Sequence, residues 1–270
     1  MSMRRRRTAG SGNVLAALVL MGLMACGSEQ GAREMPSPAG PASTPSVTSA
    51  PTATSITPTT TAAAFAGIWP FTSQAEVDAY AAGPERAYRD PSTTARQFAS
   101  RYVGMKDPAA FGFSASGSGA EVGVGPGVGE GGRRLENPRL TTVVVLEQLG
   151  TKGPSGPWSV VAARSPTIEL ESPAAGSTVS SPVTLTGRAN AFEGTVAVQV
   201  KEDAMSASQS LGKGFVTGSG SSGGELGPFS DKVSFRTATK PGGAIVLYEG
   251  SAADEQGVLR ATVVRVLFAR

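Results

Sequence analysis

Thr195-Val196-Ala197-Val198-Gln199-Val200-Lys201 is the stretch on which the fold class turns. Val196, Val198 and Val200 alternate with Ala197, Gln199 and Lys201, the period-two pattern of a strand buried on one face and open on the other. Working outward, similar short runs recur at Thr167–Glu171, Val183–Ala189, Leu211–Thr217, Phe229–Phe235, Ala244–Ser251 and Val258–Phe268, parted by turn-forming residues. Seven short strands within 166–270 predict an antiparallel β-sandwich. Val263 and Val264 with Val266 and Leu267 predict that the last strand is covered more fully than the others.

Several longer stretches of this region carry a family resemblance. They are Ile168-Glu169-Leu170-Glu171-Ser172-Pro173, Gly176-Ser177, Ser181-Pro182-Val183 and Thr186-Gly187-Arg188-Ala189-Asn190-Ala191-Phe192-Glu193-Gly194-Thr195-Val196. Gly224-Glu225-Leu226-Gly227-Pro228-Phe229 and Gly243-Ala244-Ile245-Val246-Leu247-Tyr248-Glu249-Gly250-Ser251-Ala252-Ala253 extend it. Residues 167–268 thereby resemble the Gmad2 immunoglobulin-like domain, a family associated with bacterial spore germination and sporulation proteins and with envelope lipoproteins. The resemblance implies an immunoglobulin-like sandwich acting as an extracytoplasmic interaction module, and it brings no catalytic residue with it. The cysteine pair and tryptophan of antibody domains are absent, so the core must rest on packing alone. A sporulation role does not follow from the module, because a fold does not specify a function. Phe192, in the turn between the second and third sandwich strands, is expected to fold back and cap the core.

Residues 65–165 read as a small α+β domain. Phe65-Ala66-Gly67-Ile68-Trp69-Pro70-Phe71 is an aromatic entry segment. Thr72 or Ser73 caps a helix to about Ala82, with Glu76 as capping-box partner of Ser73 and Val77 and Tyr80 on its apolar side. Asp90-Pro91-Ser92 opens a second helix running to Val103, with Ala95, Phe98, Ala99 and Tyr102 on one face and Gly104 ending it. Strands are expected at Ala120–Val124, Leu140–Leu149 and Trp158–Ala163, the last two forming a hairpin through Gly153-Pro154-Ser155-Gly156-Pro157. This region resembles the segment that precedes such sandwich domains in actinobacterial lipoproteins.

The first 64 residues are of another kind. Arg4 to Arg7 form a basic head, and Val14 to Ala25 an apolar run of 12 residues, short of the roughly 20 needed to span a bilayer. The run closes as Leu23-Met24-Ala25-Cys26, which resembles a bacterial lipobox. Residues 1–25 are therefore expected to be a lipoprotein signal peptide, and Cys26, the only cysteine, the lipidated residue, with palmitate among its acyl chains. Two or more acyl chains give stable anchoring where one does not. Residues 26–64 then form a disordered Pro/Ser/Thr/Ala linker: Met35 to Ala75 contains no charge and too little apolar surface to offset the entropy of ordering. The expected architecture is multi-domain, a small α+β domain followed by an all-β immunoglobulin-like sandwich at 166–270, after a signal peptide and a linker.

Composition excludes several functions. With no histidine there is no imidazole base for a serine or cysteine nucleophile and no His ligand for zinc. Without residues 1–25, 20 of the 24 basic side chains remain against 21 acidic ones, so no nucleic-acid footprint is expected. Gly127-Val128-Gly129-Glu130-Gly131-Gly132 fits a dinucleotide fingerprint, but Arg133 to Pro138 continue as loop where a helix is required. Gly220-Ser221-Ser222-Gly223-Gly224 fits a nucleophile elbow without a base for Ser222. No cofactor, metal site or catalytic residue is expected, and the chain is read as no enzyme.

The expected function is that of a membrane-anchored extracytoplasmic lipoprotein, a non-catalytic binding or structural module of the cell envelope. Its partners would be the membrane, through the lipid, and an envelope protein or cell-wall component. Two alternatives remain. One is a small-ligand-binding or sensor lipoprotein, which a deep pocket around Trp69 and Trp158 would favour. The other is an accessory subunit of a cell-wall enzyme using paired carboxylates. Glu169 and Glu171 share a strand face as such a pair would, whereas the adjacent Asp254 and Glu255 do not.

Overall fold

In the computed structural model the described residues are 64–129, 132–219, 224–251 and 254–269, without the side chains of Phe192, Ser251 and residues 254–256. Helix α1 spans Gln74–Ala82 and is capped by Ser73, whose hydroxyl accepts the Glu76 N–H at 3.3 Å. The Glu76 carboxylate does not return to Ser73 as a capping box requires. It reaches one residue further, accepting from the Thr72 N–H at 2.7 Å and the Thr72 hydroxyl at 3.0 Å. Helix α2 spans Pro91–Phe98, with Pro91 in its first turn and Asp90 as N-cap, the carboxylate accepting the Thr93 N–H at 2.6 Å. The chain continues through a π turn, Ala99–Val103, that keeps Tyr102 and Val103 turned inward. Gly104 ends it at φ 97°, a left-handed conformation that a Cβ would penalise. Asp90→Ala leaves that N–H without its partner and is expected to cost about 1 kcal/mol, measured as a shift in a thermal or urea melt.

Twelve strands are described: β1 Pro108–Ser116, β2 Gly119–Pro126, β3 Thr142–Glu147, β4 Ser159–Arg164, β5 Ile168–Ser172, β6 Thr178–Val179, β7 Val183–Ala189, β8 Thr195–Glu202, β9 Gly212–Thr217, β10 Gly227–Val233, β11 Gly242–Ser251 and β12 Asp254–Phe268. Among the described residues they form a nine-stranded sheet in the order β1-β2-β3-β4-β12-β11-β8-β9, with β6 beside β12, and a three-stranded sheet β10-β7-β5. The two sheets pack as the sandwich read from the sequence, and the expected β3–β4 hairpin is present. β1 was not expected. It is an antiparallel edge strand on β2, with a register shift between Phe111 and Phe113.

The long sheet does not stop at the start of the sandwich. β4 pairs with β12 at Ala163 and Val263, so one sheet runs from the α+β region into the immunoglobulin-like one. Its two faces serve two cores. Ala244, Val246, Ala261 and Val263 pack with Ile68, Phe98, Tyr102, Val144 and Val160 beneath the helices. Ile245, Leu247, Val266 and Phe268 point the other way, onto Ile168, Leu185, Val196, Val200 and Phe229. The last strand is thus covered on both sides, as its valine pairs predicted. The entry segment is stitched in by backbone bonds from Ile68 N–H to the Val160 carbonyl at 2.8 Å and from Val160 N–H to the Trp69 carbonyl at 2.7 Å.

Candidate functional site

β8 ends in Lys201-Glu202 and is followed at once by Asp203, three consecutive charges that are all buried. Sequence alternation turned Gln199 and Lys201 toward the open face of this strand. The structure buries both, because the helices and entry segment cover that face. The Lys201 side chain is fully inaccessible. Its ammonium donates to the carbonyls of Ser206 at 2.7 Å, Tyr102 at 3.0 Å and Ala207 at 3.4 Å, and to Gln199 Oε1 at 3.5 Å. It also lies 4.9 Å from the centre of the Tyr102 ring, a cation–π contact. Every one of these partners is neutral, and no carboxylate forms an ion pair with Lys201 among the described residues. Burial pulls the ammonium down to about 8, and the charge of Lys213 adds to the effect.

The next two residues are held differently. Burial alone would raise the Glu202 carboxyl, but bonds from the backbone N–H groups of Thr239 and Lys240 and from the Thr239 hydroxyl bring it below its ordinary value. Asp203 faces Arg265, which donates to it and also to the Phe65 carbonyl at 2.7 Å. Burial nevertheless pushes the Asp203 carboxyl up to about 6 against the pull of Arg265 and Lys240. Tyr102 donates its hydroxyl to the Glu202 carbonyl at 3.4 Å, and burial raises its phenol well above the ordinary value. These groups join α2's π turn and the entry segment to the end of β8. They form a polar seam between the α+β layer and the sandwich.

Two clefts open beside this seam and share Ala207 and Ser208. One, about 540 Å³, is lined by Gln199, Ser208, Lys213 and Tyr248 with Lys106 and Val258. The other, about 610 Å³, is lined by Trp69, Pro70, Tyr88, Arg101 and Met205. Neither is the aromatic pocket that the small-ligand reading needed. Trp69 is packed edge-on against Tyr88 with ring centres 5.2 Å apart and contacts Phe98, and both tryptophans belong to the core.

The remaining candidates fall as follows. Glu169 and Glu171 are exposed on β5 and solvated. Asp254 and Glu255 open β12, and their side chains lie outside the description, as does that of Phe192. Cys26, the linker and Ser222 lie outside the described residues. The glycine-rich match at 127–132 is bordered by a Val128–Arg134 bridge and a Gly129 N–H bond to the Arg133 carbonyl at 2.8 Å, and its residues 130 and 131 lie outside the described ones. Among the described residues no cluster of three or more His, Cys, Asp or Glu is placed to hold a metal ion, and no helix is long and apolar enough to cross a membrane. The seam was missed because its signal, a charged triplet closing an apolar strand, looks like solvated surface until the covering layer is known.

Fold and site together define an immunoglobulin-like sandwich with a short-helix layer on the outer face of its larger sheet. Residues 167–256 match the family model of Gmad2, the immunoglobulin-like domain of bacterial spore germination. The match covers one third of the chain and ends inside β12, whose remainder completes both cores. Modules of this kind are generally non-catalytic and serve binding or structural roles. No curated protein and no solved structure matches the chain.

Proposed function

We propose that the chain is a lipoprotein anchored through Cys26 to the extracytoplasmic face of the cell membrane, where it acts as a non-catalytic binding or structural module of the envelope. The Gmad2 match over 167–256 carries the reading, because immunoglobulin-like domains of that kind are generally non-catalytic binding or structural modules. The lipobox-like Leu23-Met24-Ala25-Cys26 and the Pro/Ser/Thr/Ala-rich tether after it support the anchoring. A flexible tether of residues 27–64 reaches roughly 34 Å root-mean-square, enough to lift the module off the lipid and present its surface to wall or membrane partners.

The test is made in intact cells. Cys26→Ala is expected to block both cleavage and lipidation, seen as a precursor of higher mass without the lipid. Cleavage of the variant at the same bond would overturn the anchor. Crosslinking the wild-type chain in the same cells is expected to attach envelope proteins or wall material, and capture of cytoplasmic proteins alone would overturn the placement.

A further inference from the structure

We infer that the cleft between the ends of β8, β9 and β11 is a binding site for a phosphate-class oxyanion, built from Lys213, Tyr248 and Gln199 over the buried ammonium of Lys201. The inference does not depend on the lipid anchor.

It begins with an imbalance. An ammonium taken fully out of water is costly unless charge of the opposite sign compensates it. Lys201 is surrounded by carbonyl oxygens, an amide oxygen and a ring, all neutral. Two of its acceptors, the Gln199 amide and the Ala207 carbonyl, belong to residues that line the 540 Å³ cleft, so its field enters that space. Lys213, exposed at the cleft mouth and in no ion pair among the described residues, adds a second positive charge close enough to act on Lys201.

A chain of donors carries the same polarity outward. Lys201 donates to Gln199 Oε1 at 3.5 Å, and Gln199 Nε2 donates to the Tyr248 hydroxyl oxygen at 3.4 Å. The tyrosine's own proton then has no acceptor among the described residues. Hydrogen bonds in series polarise one another, so this proton is a stronger donor than that of an isolated phenol. A tetrahedral oxyanion in the cleft accepts from it, from the Lys213 ammonium and from the Ser208 hydroxyl, and supplies the counter-charge that Lys201 lacks. Charge-assisted bonds of this kind are the strong ones.

The purified full chain is titrated with sodium phosphate at pH 7, ionic strength being held constant with sodium chloride, and followed by melting temperature and backbone amide shifts. Saturable binding is expected, with amide shifts at Gln199, Ser208 and Tyr248. Lys213→Ala and Tyr248→Phe, both substitutions at the cleft mouth that leave the cores intact, are each expected to weaken it roughly tenfold. A response that does not saturate, that chloride reproduces, or that both variants retain would overturn the site. Acetate binding as tightly as phosphate would overturn the tetrahedral assignment. A phosphodiester probe, diglycerol phosphate, separates the sources. Binding of it places the ligand on a polymer or lipid headgroup, and binding of inorganic phosphate alone places it in solution.

Discussion

Replacing Arg265 with alanine is expected to lower the unfolding free energy by about 3–5 kcal/mol, the cost of stranding one charge of a buried pair. The guanidinium pairs with Asp203 and donates to the Phe65 carbonyl at 2.7 Å, and both side chains of the pair are about nine-tenths or more buried. Its loss leaves Asp203 with Lys240 as the nearest cation, and the Phe65 carbonyl without that donor. The sign of the pH dependence separates this cause from simple loss of packing. The folded-state carboxyl already titrates at about 6, above its ordinary 3.8, so the folded state binds the proton more tightly than the unfolded one. Stability associated with Asp203 is therefore full below its unfolded value and is lost as pH rises through the folded value. Without Arg265 the folded value climbs further. The deficit of Arg265→Ala relative to wild type should then shrink as pH is lowered from 7 toward 4, in parallel urea melts. In the Asp203→Asn background the same substitution should show no such pH dependence. A deficit that is equal at both pH values would assign the effect to packing.

The residues that decide the sandwich announced themselves locally. The valine alternation of β8 and the doubled valines of β12 state how many faces of each strand are covered, and Ser73 and Asp90 mark two helix starts through their own hydrogen bonds. β1 is different. Phe111-Gly112-Phe113-Ser114-Ala115-Ser116 contains no β-branched residue; Phe111, Phe113 and Ala115 alternate with Gly112, Ser114 and Ser116, but the stretch is largely exposed, and β2 supplies the ladder that makes it a strand. The site was the least legible part. Alternation told that Gln199 and Lys201 lie opposite Val198 and Val200, but what covers that side comes from residues about a hundred positions earlier, through the Tyr102 carbonyl. The Trp69 and Trp158 pocket failed for the same reason: aromatic residues distant in sequence met each other and filled the space.

Residues 166–270 produced without residues 64–165 are expected not to fold as a stable monomer, although the family match lies almost wholly inside that fragment. The sheet formed by β12, β11 and β8 has two apolar faces, and the fragment retains a cover for one. Removing the α+β layer uncovers Val246, Val258 and Val263 with Ala244 and Ala261. At about 2 kcal/mol for each valine returned to water, the three alone cost roughly 6 kcal/mol. A domain has about 5–15 kcal/mol in all. β12 also loses β4 as its neighbour on one side and becomes an edge with an apolar face, the arrangement that invites association. The seam adds little against this, because Lys201 would regain water when the Tyr102 carbonyl is removed. Residues 64–270 should therefore melt in one cooperative transition by circular dichroism, while the fragment shows no such transition or elutes as aggregate. Val246→Thr, Val258→Thr and Val263→Thr introduced together keep β-branched shape and make the uncovered face polar, and they should restore a soluble, cooperative fragment. If the unmodified fragment melts within a few degrees of the longer chain, the sandwich stands on its own core, and the α+β layer contributes no more than a coat.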